Sequence, residues 1–182
     1  LFDTTFYKFD DEITVEDSDK IKANALENRP VLDRDDDDLH FKKTTRSAVE
    51  DFRKSLIDFK PDLIAVSCTE TTFLRAIRMI DATRDLGIKN IFGGVFPTFA
   101  PDLTMTYPNV DMVCVGEGEN AMIDLANSIS NQEKKFDITN IWFRMEDDTI
   151  YKNSISRPVD INEIPAITDI ELFGEERFYR PM

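Results

Sequence analysis

Three short apolar runs occupy the middle of the chain: Leu63-Ile64-Ala65-Val66, Ile91-Phe92 and Met112-Val113-Cys114-Val115. None alternates with polar residues, so each reads as a strand buried on both faces. Each exits into small or polar residues: Ser67-Cys68-Thr69-Glu70, Gly93-Gly94-Val95-Phe96-Pro97-Thr98 and Gly116-Glu117-Gly118-Glu119. Between the runs the period changes. Phe73, Ile77 and Ile80 recur at helical spacing after the first exit, with Thr71 or Thr72 as cap and Gly87 as the left-handed terminator. Met122, Leu125, Ala126 and Ile129 mark a second helix over 119–129. Upstream, Val49, Phe52, Leu56 and Phe59 mark a helix that Ser47 and Glu50 open as a capping box and Pro61 stops by Lys60. Strands alternating with helices imply right-handed crossovers and a parallel sheet, and ligands of such sheets bind outside the carboxyl ends of the strands.

The flanks are less regular. Residues 1–9 are rich in aromatic and β-branched side chains and read as a strand running into a loop. Residues 10–45 are charged and aperiodic, which reads as a solvated loop. Pro97 and Pro101 predict a non-helical 95–101, with a short helix over 101–107. Ile141–Met145 and Thr149–Lys152, joined through Glu146-Asp147-Asp148, predict a β-hairpin. From Ser154 on, Pro158, Pro165 and Pro181 interrupt any period and predict an extended connector. The expected organisation is an α/β domain over 1–139, then a hairpin and connector over 140–182. Leu1-Phe2 reads as the end of a strand, so the chain is expected to be a fragment whose upstream part is missing.

Composition narrows the partners. Hydrophobic residues make up 41% of 182, enough for a core. The formal charge of −14 repels polyanions, which argues against nucleic acid and anionic membranes. No run approaches the roughly 18 apolar residues that span a bilayer, and the start lacks a signal-peptide pattern. With only Cys68 and Cys114 present, a reduced cytoplasmic setting is expected.

Several chemistries are testable against the residues. Asp33, Asp35 and Asp37 alternate like a calcium loop, but its glycine and final glutamate positions hold Asp38 and Thr44. Cys68 stands at a strand exit, where a nucleophile would need a base; the single histidine, His40, lies in the acidic loop. Glu117 and Glu119, two apart, would diverge, which suits a turn and a helix start better than paired acid–base work. Gly93-Gly94 lacks the dinucleotide fingerprint. Two adjacent glycines allow either plain turn chemistry or close approach of a flat ligand, with Ser67, Thr69 and Thr98 supplying hydroxyls at the same edge.

The segments 61–67 (Pro-Asp-Leu-Ile-Ala-Val-Ser), 92–98 (Phe-Gly-Gly-Val-Phe-Pro-Thr) and 110–119 (Val-Asp-Met-Val-Cys-Val-Gly-Glu-Gly-Glu) resemble the cobalamin-binding N-terminal domain of cobalamin-dependent radical SAM proteins. Leu1-Phe2-Asp3 resembles its second strand, and Trp142 to Ile150, Arg157-Pro158 and Asn162 to Pro165 resemble the exit toward the barrel. The resemblance implies a flavodoxin-like (Rossmann-type) three-layer α/β domain with a mostly parallel sheet, its first strand truncated. It implies a corrinoid held at the carboxyl edge, with the dimethylbenzimidazole tail near Ser67, Thr69, Gly93 and Gly94. Glu70, Pro97 and Thr98 complete that side, and Gly116, Glu117, Gly118 and Glu119 border the crevice. No catalytic residue and no metal ligand is implied in this segment. The 4Fe-4S cluster and S-adenosylmethionine belong to a downstream domain, because the Cys-x-x-x-Cys-x-x-Cys triad is absent here. The segment alone is then not catalytic, while its parent would be a methyltransferase or related enzyme.

Two other readings stay open at this point. A cofactor-free scaffold or substrate-recognition domain of the same ancestry would use Phe96 and Phe99 to fill the tail's place. A phosphoacceptor receiver would need aspartates where Ser67-Cys68-Thr69 stand. An exposed sheet edge at the missing strand leaves room for a homo-oligomer.

Overall fold

The computed structural model describes residues 1–4, 7, 44, 46–160, 162 and 164. The acidic run 33–38, His40 and most of the connector lie outside the described residues. The chain divides into two compact units, Leu1–Ser55 with Ile167–Met182, and Leu56–Ala166.

In the first unit, Phe2 stacks on Tyr7 with ring centroids 5.5 Å apart and tilts against Phe52 at 5.2 Å. The Tyr7 hydroxyl donates to Asp51 Oδ2 at 2.9 Å, and Arg46 pairs with the same carboxylate at 3.1 Å. The strand expected over 1–9 is not formed at Leu1–Asp3; Tyr7 makes only an isolated parallel bridge to Thr44.

Helix α1 spans Ala48–Phe59. The Ser47 hydroxyl accepts the Glu50 N–H at 3.3 Å, as the capping pattern predicts. Lys60, at φ 53°, ends the helix before Pro61.

The second unit carries the sheet. Its strands are β1 (Leu63–Ser67), β2 (Lys89–Gly93), β3 (Met112–Cys114), β4 (Ile141–Arg144) and β5 (Ile150–Lys152). They lie in the order β1-β2-β3-β4-β5. The first three are parallel; β4 joins β3 antiparallel and β5 closes the hairpin. The predicted hairpin thus extends the sheet directly, which the sequence did not reveal. The outer edge of β1 has no strand partner among the described residues.

Register sorts side chains onto two faces. Ile91, Met112 and Phe143 align across the strands, and Phe92, Val113 and Trp142 align on the other face. On the first face Ile91, Met112, Cys114, Ile141 and Phe143 pack with Ala121 and Leu125 of α5 (Glu119–Ser130) and with Ile138. Ala126, expected inward, is exposed; Met122 and Ile129 pack at the cluster's margin. On the second face Phe73 of α2 (Glu70–Asp81) meets Phe92 at 5.9 Å, Phe96 at 4.5 Å and Tyr107 at 5.1 Å. These layers, helix–sheet–helix, are the flavodoxin-like arrangement.

Three local expectations change. The α2 cap is Thr69 and not Thr71 or Thr72, because Glu70 already begins the helix. Gly87, at φ 69°, closes a 3-10 turn over Arg84–Leu86 after α2 has ended at Asp81. Residues 95–99 are helical: α3 (Val95–Phe99) is followed at once by α4 (Pro101–Met105). Pro97 and Pro101 fall in first turns, where the missing N–H has no helical partner to lose.

At the starts of β2 and β3 a buried carboxylate sets the register. Asp111, 4% exposed, accepts from Arg84 at 3.1 Å, Lys89 at 2.7 Å, and the Asn90 N–H and Nδ2 at 3.1 and 2.8 Å. Asn90 Oδ1 accepts the Asp111 N–H in return, at 3.2 Å. The lysine and arginine reach solvent, so they can rehydrate if the carboxylate is lost; the Asn90 donors cannot. Asp111→Ala is therefore expected to destabilise the chain by about 2–3 kcal/mol in urea denaturation, the cost of orphaned buried donors. A change below about 0.5 kcal/mol would show that the network contributes little.

Candidate functional site

The three exits predicted to share one edge do so. Parallel pairing puts Ser67 beside Gly93. The Cys68 N–H then donates to the Gly93 carbonyl at 3.0 Å, prolonging the ladder by one bond. Gly93 lies in turn against Cys114 at the end of β3, where a Cβ would sit 3.7 Å from that of Cys114. The Thr98 hydroxyl accepts the Gly116 N–H at 3.1 Å and joins the second exit to the third.

Gly94 makes the first junction possible. Its φ of 97° and ψ of −167° belong to a region open essentially to glycine alone. A Cβ there would fall 2.7 Å from the Cys68 carbonyl oxygen, 3.0 Å from its nitrogen and 3.2 Å from Ser67 Oγ. Of the two glycines, then, Gly94 is demanded by conformation and by space together, and Gly93 by neither.

Other predicted residues take distinct places. Ser67, Thr69, Glu70, Gly94, Glu117 and Glu119 are exposed along the edge, and Gly93, Thr98, Gly116 and Gly118 are half-buried. Pro97 is buried within the α3 turn. Thr69 Oγ1 lies 3.1 Å from Thr71 Oγ1 and 3.3 Å from Thr72 Oγ1, a cluster of hydroxyls at the start of α2. Glu70 and Glu119 each occupy the first helical position, of α2 and α5, where a carboxylate suits the helix dipole. The Glu117 carboxylate accepts the Val159 N–H, so it serves the chain itself and is not paired with Glu119 for acid–base work.

The two cysteines are buried at this edge. Burial pushes the Cys68 thiol up to about 11. Burial, and then the charge of Glu119, raises Cys114. Both stay protonated at neutral pH, which removes Cys68 as a thiolate nucleophile. Among the described residues no three His, Cys, Asp or Glu side chains are grouped to hold a metal ion.

One contributor was not legible in the sequence. Asn140 is buried, with φ 69°, and its amide donates to the Glu117 carbonyl at 2.9 Å. It lies in the polar stretch before β4, and only its tolerance of a left-handed conformation hinted at a special place.

Two measurements test this geometry. Gly94→Ala is expected to destabilise the chain by about 2–4 kcal/mol, against about 1 kcal/mol for Gly87→Ala, whose Cβ meets nothing within 4 Å. Equal costs would mean that the Cys68 contact is not tight. For Cys68, the folded-state value lies above the unfolded one of about 8.5, so the folded chain holds the proton more firmly. The stability this confers is present below about pH 8.5 and is lost as pH rises toward 11. Thiol labelling at pH 8 should be about two orders of magnitude slower in the folded chain than in urea; comparable rates would contradict the burial.

The sequence matches the B12 binding domain family over residues 24–126. No curated protein matches it. Among solved structures, it is similar to the cobalamin-dependent S-adenosylmethionine radical enzyme OxsB with aqua-cobalamin and S-adenosylmethionine bound. That match has 24% identity and a TM-score of 0.59, covering 72% of this chain and 19% of that one. It is also similar to the radical S-adenosylmethionine methyltransferase TsrM from Kitasatospora setae with cobalamin and [4Fe-4S] cluster bound. There the identity is 17% and the TM-score 0.51, covering 64% of this chain and 23% of that one. At these identities the likeness is one of fold, and the chain spans about a fifth of the length of those enzymes. With over half its length inside the family match, the chain belongs to the B12-binding domain family, whose ligand is cobalamin.

Proposed function

We propose that the joined strand exits hold cobalamin for a longer radical S-adenosylmethionine protein. The observation that carries the reading is the convergence of Ser67–Glu70, Gly93–Thr98 and Gly116–Glu119 on one edge, fastened by the Cys68–Gly93 and Thr98–Gly116 hydrogen bonds. The residues fit such a ligand. Gly94 carries no side chain and is exposed on its solvent side, so a flat group can approach the backbone from that side. Ser67 and Thr69 offer exposed hydroxyls beside it. Thr98 uses its oxygen as an acceptor for Gly116, which leaves its O–H able to donate.

In this reading Ser67, Thr69, Gly93 and Gly94 receive the nucleotide tail, with Glu70, Pro97 and Thr98 shaping that side. The Gly116–Glu119 loop forms the opposite wall. Bound cobalamin would carry a methyl group or another reactive fragment for chemistry completed elsewhere in the longer protein; this chain binds and orients it. The iron–sulfur cluster and S-adenosylmethionine fall to the other domain. Two buried, protonated thiols suit a cytoplasmic setting, and no helix among the described residues is long and apolar enough to cross a membrane.

The scaffold alternative loses its main support. Phe96 is packed on Phe73 at 4.5 Å and serves the core, while Phe99 is 84% exposed.

Titration of the chain with hydroxocobalamin is expected to shift the cobalamin absorbance and to raise the thermal midpoint. Thr98→Val, which removes the acceptor for the Gly116 N–H, should weaken binding about tenfold, the worth of one hydrogen bond left unmade. Absence of both signals at high micromolar cobalamin would defeat the reading.

A further inference from the structure

Asn140 joins the third exit to the segment that leaves the sheet. Its Nδ2 donates to the Glu117 carbonyl at 2.9 Å and to Ser156 Oγ at 3.0 Å. Its Oδ1 accepts the Ser156 N–H at 2.7 Å. Its own N–H donates to the Ser154 carbonyl at 2.9 Å, and its carbonyl accepts the Val115 N–H at 2.8 Å. Both amide hydrogens donate and the amide oxygen accepts, so the amide orientation is fixed by its neighbours. Two further contacts run in parallel. The Glu117 carboxylate accepts the Val159 N–H, and Ile155 Cγ2 lies 3.6 Å from where a Gly116 Cβ would be.

The segment 153–159 has no helix or strand of its own and is largely exposed. The loop 116–119 rests on Thr98 on one side and on Asn140 on the other. Neither residues 116–118 nor 153–159 lie in a helix or strand, so the contacts between them help to set the shape of both. Asn140 itself is buried, at 5% exposure.

We propose that Asn140 is a positioning residue for the cofactor crevice, holding the Gly116–Glu119 wall to the departing segment 154–159 so that crevice occupancy and the path of that segment are coupled. The proposal rests on the cobalamin reading above. Coupling of this kind is reciprocal: if cobalamin orders the segment, fixing the segment tightens cobalamin.

The test uses the full chain and two variants. Asn140→Gly keeps the left-handed backbone and removes the amide. Val159→Pro removes the N–H given to Glu117 at an exposed stretch outside the core, so it keeps the proposal testable if Asn140→Gly fails to fold. Hydroxocobalamin affinity is read by absorbance, and amide hydrogen exchange at Ser156 and Val159 is read with and without ligand. In the unaltered chain, cobalamin is expected to slow exchange at both amides. Asn140→Gly is expected to weaken binding about tenfold and to abolish the ligand's effect on Ser156 and Val159. Val159→Pro is expected to weaken binding about threefold and to reduce the effect on Ser156. A merely structural Asn140 would lower the denaturation midpoint while leaving the ligand-dependent slowing intact, and that result overturns the proposal. So does binding by Asn140→Gly at the unaltered affinity. If the unaltered chain binds no cobalamin, the cofactor reading falls and this proposal falls with it, whereas binding without any slowing sinks the proposal alone.

Discussion

The site depends on one close approach: Gly94 lies so near the backbone of Cys68 that no side-chain carbon fits between them. The first exit must turn away from β1 at Ser67 while the second turns away from β2 at Gly93, and both turns occupy the same space. A residue with a Cβ would force them apart. Glycine, in a backbone conformation closed to other residues, lets them nest. From that junction α2 and α3 start on the same face of the sheet, and Phe73 and Phe96 meet at 4.5 Å. The shelf of hydroxyls and bare backbone is a consequence of the same packing.

The two ends of the parallel strands are built on opposite principles. At their starts, polar side chains saturate one another: Asp111 takes up donors from Arg84, Lys89 and Asn90 and leaves nothing for a ligand. Arg144 reinforces this end by donating to the Val110 and Tyr107 carbonyls at 2.9 and 3.0 Å. At their exits, hydroxyls and peptide groups remain at the surface beside glycines. A satisfied network fixes register, and an unsatisfied edge is free to bind; the fold keeps the two functions some 5 residues apart along β2.

The acidic balance of the chain fits this division. The carboxylates along this edge serve local structure: Glu70 and Glu119 at helix starts, Glu117 on the Val159 N–H. The thiols there are neutral through burial. Beside these exposed carboxylates the edge offers hydroxyls and peptide groups, which suit a ligand recognised by shape and hydrogen bonds.

The strands and the long helices follow from the sequence: the 3.6 period of Phe73, Ile77 and Ile80 has one buried face, and Met112–Cys114 is buried on both faces as its unbroken apolar run predicts, whereas in β1 Ala65 is exposed and Leu63 and Val66 are half-buried. The grouping of the three exits follows too, since parallel strands must end on the same side. Local chemistry misled where tertiary packing overrode it. Pro97 suggested a loop, yet it sits in a first turn of α3, where a proline costs no helical bond. Leu1–Asp3 suggested a strand, but aromatic and β-branched composition alone does not supply a neighbour to pair with. Only the folded chain could show that Gly94, and not Gly93, is the indispensable glycine, or that β4 joins β3. It alone shows that Asn140 gathers Val115, Glu117, Ser154 and Ser156, because each of these depends on residues far apart in sequence meeting at a few ångströms.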